Sequence, residues 1–223
     1  MSMKQFLSIL WLAAIGLYSC EQAPRADKAT VSEAQAVQAG SGTAYLVDTS
    51  NSVVGWTGTK PTGKHHGTLD LTGGVIYVKD SVITGGQFII NMRSLQNIDL
   101  AADTAMKNKF ESELKGKLFF DTEQYPAATF EITGVKPFRP APGEEIELKD
   151  ATHTIFGNLT LKAVTKNISF PARISISGHE LNAAANFNID RTVWGISYRA
   201  DKSVQDKLIN SQVNIRFQVK ATR

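Results

Sequence analysis

The chain has 223 residues, with 24 Lys and Arg against 21 Asp and Glu and a formal charge of +3. The basic excess is spread along the chain without a run, which excludes the clustered face a nucleic-acid partner needs, and no G-x-x-x-x-G-K phosphate loop is present. Cys20 is the only cysteine, so no intrachain disulfide can form and stability must come from a core.

Lys4 precedes a nearly unbroken apolar stretch from Phe6 to Leu17, the pattern of a secretory leader and too short for a comfortable membrane span. Leu17-Tyr18-Ser19-Cys20 resembles a bacterial lipobox, which implies cleavage before Cys20 and acylation of that residue; a plain leader with an incidental cysteine is the alternative. The expected organisation is a leader over 1–19, a lipid-anchored flexible tether over 20–43 and a folded domain over 44–223. The tether is expected from its Ala, Gln, Ser, Thr and Gly content, with at most a weak helix through Val31–Val37.

After residue 44 the sequence alternates apolar and polar residues. Tyr45–Asp48 and Val53–Lys60 read as strands, and Leu69, Leu71, Ile76 and Val78 continue the pattern around a Gly73-Gly74 bulge. Phe88, Ile90 and Met92 share one face. Residues 102–121 break the rule: Asp103 can cap a helix, Met106, Phe110 and Leu114 follow at helical spacing, and Gly116 offers a stop. Met106 and Phe110 are expected to face inward, with Phe119 and Phe120 lining or plugging one end. Strands resume at Thr129, and Ile155, Leu159 and Leu161 form one face with Gly157 in register. Three runs of strict period two follow, from Ile168, from Leu181 and from Val213. Such alternation means antiparallel strands with one face buried. Periodicity alone leaves a barrel and a β-sandwich open, and leaves open whether small inward residues (Gly134, Gly157, Ala172, Ala183, Ala185) create a cavity or make room for bulky neighbours.

Four segments then carry a family resemblance: Gly55-Trp56-Thr57-Gly58-Thr59-Lys60, the run from Glu113 through Phe119-Phe120-Asp121 to Thr129-Phe130, Gly157-Asn158-Leu159-Thr160 with Thr165-Lys166, and Asp190-Arg191-Thr192-Val193-Trp194-Gly195. In this order they resemble the YceI-like family of bacterial envelope proteins. The resemblance implies an all-β, lipocalin-like fold, an extended eight-stranded antiparallel barrel with the helical insertion packed at one side or end. It also implies a long apolar pocket for a polyisoprenoid such as a quinone or prenyl phosphate, or for a fatty acid or amide, and no catalysis. Glu113 and Asn51 stand where relatives often carry His, so no head-group role passes to either position.

The pocket is therefore expected to be lined by Trp56, Phe88, Ile90, Phe110, Phe119, Phe120, Phe130, Phe156, Leu159, Phe170, Phe187 and Trp194. Arg191 and Lys60 are the candidate head-group contacts; Arg191 can equally pair with Asp190 or lie on Trp194. His65 and His66 are adjacent and would point to opposite faces of a strand, and no H-E-x-x-H, C-x-x-C or G-x-S-x-G spacing exists, so neither a metal, a cofactor beyond the bound lipid, nor a catalytic site is expected. The expected partners are the lipid ligand and, through Cys20, a bacterial envelope membrane on its periplasmic or surface side; a homodimer stays open beside a monomer. The competing reading is a β-sandwich surface lipoprotein that binds protein or glycan through exposed aromatics.

Overall fold

The computed structural model describes residues 23–37, 39–200 and 208–223. The leader and Cys20 lie outside the described residues. The strands are β1 (Asp27–Lys28), β2 (Thr30–Glu33), β3 (Thr43–Val47), β4 (Val53–Lys60), β5 (Gly63–Lys79), β6 (Val82–Asn97), β7 (Ala127–Pro137), β8 (His153–Leu161), β9 (Val164–Ser177), β10 (Glu180–Asp190) and β11 (Gln212–Thr222), with one helix, α1 (Thr104–Lys115), between β6 and β7.

The strands close into an eight-position antiparallel barrel, so the sandwich alternative falls. Sequence neighbours from β5 to β11 pair in order, and β3 and β4 together close the ring: each lies between β11 and β5, at opposite ends. Two tight hairpins set the register. Asp80 and Ser81 (φ 52° and 64°) and Lys162 and Ala163 (φ 48° and 63°) form two-residue loops whose left-handed backbone matches strand twist. The alternation seen in sequence becomes inside and outside. In β10, Leu181, Ala183, Ala185, Phe187 and Ile189 are all buried.

One wall is incomplete. β9 and β10 pair only from Ser177/Glu180 to Arg173/Ala184. Ala172 turns its carbonyl toward the β8 side, where it accepts from the Thr152 N–H, so Pro171 turns its missing N–H toward β10 and the ladder cannot continue. The gap is filled by the N-terminal segment. β1 runs parallel to β10 at Phe187 and Asn188, and β2 runs antiparallel to β9 from Thr30/Ser169 to Glu33/Lys166. Ala29 is buried in the core between them. Asp27 accepts from the backbone N–H groups of Glu147 (2.8 Å) and Leu148 (3.0 Å), and Gln35 exchanges two bonds with the Asn158 side chain (3.0 and 2.7 Å). This corrects the tether: from Pro24, whose carbonyl accepts from Asn188, to Gln35 the segment is barrel wall, and Thr30–Glu33 is strand where a weak helix was expected.

The helix begins as its sequence dictates, with the Asp103 carboxylate accepting from Met106 N–H at 2.9 Å. Its Glu111 carboxylate accepts from Asn97 N–H at 2.7 Å and so fastens α1 to the end of β6. Leu114 is buried, but Met106 is 54% exposed and faces solvent, contrary to expectation. Positions 106, 110 and 114 drift around the helix by about 40° per step of four, so a single stripe cannot keep both ends inside.

Candidate functional site

The barrel encloses a cavity of about 420 Å³, within the size range of small-molecule sites. Its wall is apolar except at one end. Ile76, Ile83, Ile174, Leu181 and Val219 line the closed end, and a girdle of five phenylalanines surrounds the middle. Phe88, Phe130, Phe170 and Phe187 follow one another at centroid distances of 6.3, 5.8 and 4.0 Å, and Phe217 meets Phe170 edge-on at 5.8 Å. Both readings of the small residues are realised at different positions. Ala183 lines open space, whereas Gly157 lies under the Phe130 ring, where a Cβ would come within 2.2 Å of its Cζ.

At the other end lie the β4–β5 hairpin, α1, Phe119 and Phe120, and the segment around Leu208–Asn210. This mouth is tied shut along one side: Asn210 donates from its backbone to Thr59 O at 2.9 Å and from its side chain to Thr59 Oγ1 at 2.7 Å.

Ten of the twelve expected lining residues border the cavity: Trp56, Phe88, Ile90, Phe110, Phe119, Phe120, Phe130, Leu159, Phe170 and Phe187. Phe156 does not. It alternates with Ile155 and Gly157, faces outward, and carries Lys136 Nζ at 5.2 Å over its ring. Trp194 does not either; it is buried in the 3-10 turn Arg191–Trp194, away from the cavity, with its indole N–H donating to Leu159 O at 3.0 Å. Trp56 stands in the wall near Phe110, centroids 6.4 Å apart, and its buried Nε1 has no hydrogen-bond partner.

Arg191 borders the cavity, yet its guanidinium serves the fold. It donates to the carbonyls of Asn210 (3.2 Å), Tyr198 (2.9 Å), Ile209 (2.8 Å) and Ile196, and lies 5.7 Å from the Phe119 ring centre. With four of its five N–H donors given to carbonyls, it is a staple for the mouth segment rather than a head-group contact. Burial lowers its pKa from the ordinary Arg value, with the Asp190 charge opposing. Among the described residues Asp190 makes no salt bridge; it caps the 3-10 turn, accepting from Thr192 N (3.0 Å), Thr192 Oγ1 (2.6 Å) and Ser211 Oγ (3.1 Å). Burial pushes its pKa up, but these hydrogen bonds outweigh it and hold the carboxyl below the usual range.

The sequence reading missed His65 as a site residue. It borders the mouth, its ring sits 4.5 Å from Phe110, and its Nδ1 lies 2.7 Å from Asp99 Oδ2. Asp99 also accepts from His66 N–H and the Asn97 amide, each at 2.7 Å. Burial again opposes, but these bonds hold the Asp99 carboxyl below its ordinary pKa. The signal was present, because His65 shares parity with Leu69 and Leu71. Its partner Asp99 comes from beyond β6 and could not be paired from spacing. Lys60 also borders the mouth. Among the described residues no group of three or more His, Cys, Asp or Glu could hold a metal ion, and no helix is long and apolar enough to cross a membrane.

Comparison with known proteins agrees with this architecture. The family model described as the YceI-like domain matches residues 45–221. BcnA of Burkholderia cenocepacia superposes with a TM-score of 0.61 at 18% identity, covering 79% of this chain and 99% of its own. A polyisoprenoid-binding domain from Saccharophagus degradans, implicated in plant cell wall breakdown, gives 0.56 at 14% identity over 80% and 97% of the two chains. A variant of the Campylobacter jejuni YceI protein gives 0.50 at 13% identity over 86% and 90%. No curated protein matches the chain in sequence.

Proposed function

We infer the function from family and cavity together: the chain belongs to the YceI-like family, its barrel encloses an apolar cavity open at one end, and it acts as a carrier or store for a single-chain lipid, a polyisoprenoid such as a quinone or prenyl phosphate, or a fatty acid or amide. The observation that carries the reading is the cavity wall, in which apolar side chains from β4 to β11 enclose about 420 Å³. Each ligand methylene buried there contributes about 0.8 kcal/mol, so a chain is held without many polar contacts. The Saccharophagus degradans neighbour, a polyisoprenoid-binding domain, supports the same class of ligand. Binding rather than catalysis suits a site whose Arg191 and Asp190 are committed to the fold. Native mass spectrometry of protein purified from its own host, followed by lipid extraction, should find a co-purifying chain. A protein that carries no lipid and takes up none from mixed vesicles would sink the reading.

The chain is proposed to be an exported lipoprotein anchored through Cys20. Because Pro24 is bound to the barrel, an anchor at Cys20 would lie only four residues away, within about 15 Å, and the barrel would ride close to the membrane. Palmitate labelling lost in Cys20→Ala tests this; labelling that persists would overturn it.

A further inference from the structure

The mouth carries a polar arrangement that holding an apolar chain does not require. His65 lies inward on β5, and its cross-strand partner is Gly58 on β4, which also borders the cavity. A Cβ built on Gly58 would meet nothing within 4 Å, so open space stands beside the imidazole. Asp99 and Phe110 fix that imidazole from two sides. An ionised carboxylate only accepts, so Nδ1 carries a proton toward Asp99, and Nε2 donates to an anion only when the ring carries its second proton as an imidazolium. Lys60 and Arg199 border the same mouth, and Glu113 is the one acidic lining residue among the described residues.

We propose that this mouth is a head-group site for an anionic lipid, a fatty carboxylate or a prenyl phosphate, with its oxygens placed over Gly58 and accepting from Lys60 Nζ and from Nε2–H of His65 in the imidazolium form that Asp99 balances. Asp99 is a positioning residue that acts through His65. The proposal rests on the lipid-binding reading and sharpens it from any apolar chain to a chain with a negative end. Hydrogen bonds to charged groups are the stronger kind, and losing one changes affinity by about ten-fold or more.

The test is competitive displacement of a fluorescent apolar probe from the intact barrel by matched pairs: tetradecanoate against methyl tetradecanoate, and farnesyl phosphate against farnesol. The native protein should prefer the charged member of at least one pair by about ten-fold or more, and the preferred pair tells carboxylate from phosphate. His65→Phe keeps the packing on Phe110, and Gly58→Leu fills the head-group space; each should bring the preference close to one while the neutral chains still bind. Asp99→Asn should reduce the preference part of the way, a change that a purely structural role would not confine to the charged member. A native preference near one, or a preference that survives both His65→Phe and Gly58→Leu, overturns the head-group site while leaving lipid binding intact. If neither charged nor neutral chains displace the probe, lipid binding itself fails and the head-group site fails with it.

Discussion

Replacing Ala183 by Phe distinguishes an open cavity from a filled core. Ala183 lies on β10 between Ile174 of β9 and Val219 of β11, and all three border the cavity. In a close-packed core, adding a phenyl ring forces neighbours off their rotamers and costs about 1–3 kcal/mol. In open space of about 420 Å³ the ring instead finds apolar surface, and stability should stay level or rise. Ligand binding should move the other way. A phenyl group displaces roughly four chain methylenes at about 0.8 kcal/mol each, or about 3 kcal/mol, which is on the order of a hundred-fold in affinity. Urea unfolding of delipidated protein gives the first quantity, and displacement of a fluorescent fatty probe gives the second. Destabilisation by 1–3 kcal/mol with unchanged probe affinity would refute the cavity as the binding site, since it would show Ala183 packed and the ligand elsewhere.

Three other expectations follow from particular contacts. Asp27→Ala removes the carboxylate that two backbone N–H groups of the 138–152 loop donate to, and should lower unfolding free energy by about 2–3 kcal/mol; hydrogen exchange should rise at Glu147 and Leu148 but not across β5–β6. Leu114→Ala should cost about 2–5 kcal/mol, whereas Met106→Ser should lie within about 0.5 kcal/mol of the native protein, and equal losses in chemical denaturation would contradict the observed face of α1. The depressed Asp190 and Asp99 pKa values mean that the unfolded chain binds more protons. Their contribution is fully present above the unfolded carboxyl value of about 3.9 and is lost as pH falls through the lower folded values, so Asp190→Asn should flatten the acid limb of the stability profile. An unchanged acid limb would show that Asp190 is not held ionised by Thr192 and Ser211.

Local chemistry alone determined a good part of this molecule. Period-two alternation placed Phe170, Phe187 and Ile189 inside, because a strand has only two faces and water occupies one of them. Asp103 and Gly116 bounded the helix because their preferences act within a turn of themselves. Parity on β8 and β5 also contained two facts that were not drawn from it: Phe156 faces out, and His65 faces in. Other features were decided only by contacts distant in sequence. The polar segment from Pro24 to Gln35 has no apolar face of its own to announce a strand, and it becomes barrel wall only because Pro171 stops the β9–β10 ladder and leaves edges to be filled. Met106 faces out because its spacing drifts off the stripe that buries Leu114, and Glu111 reaching Asn97 fastens α1 to the end of β6. Arg191 became a staple because four carbonyls converge on it from residues 196 to 210, and His65 became a mouth residue because the chain beyond β6 delivers Asp99 to it. Side-chain direction is a local property and can be read along the chain; the partner that gives a polar group its role is delivered by the closure of the barrel.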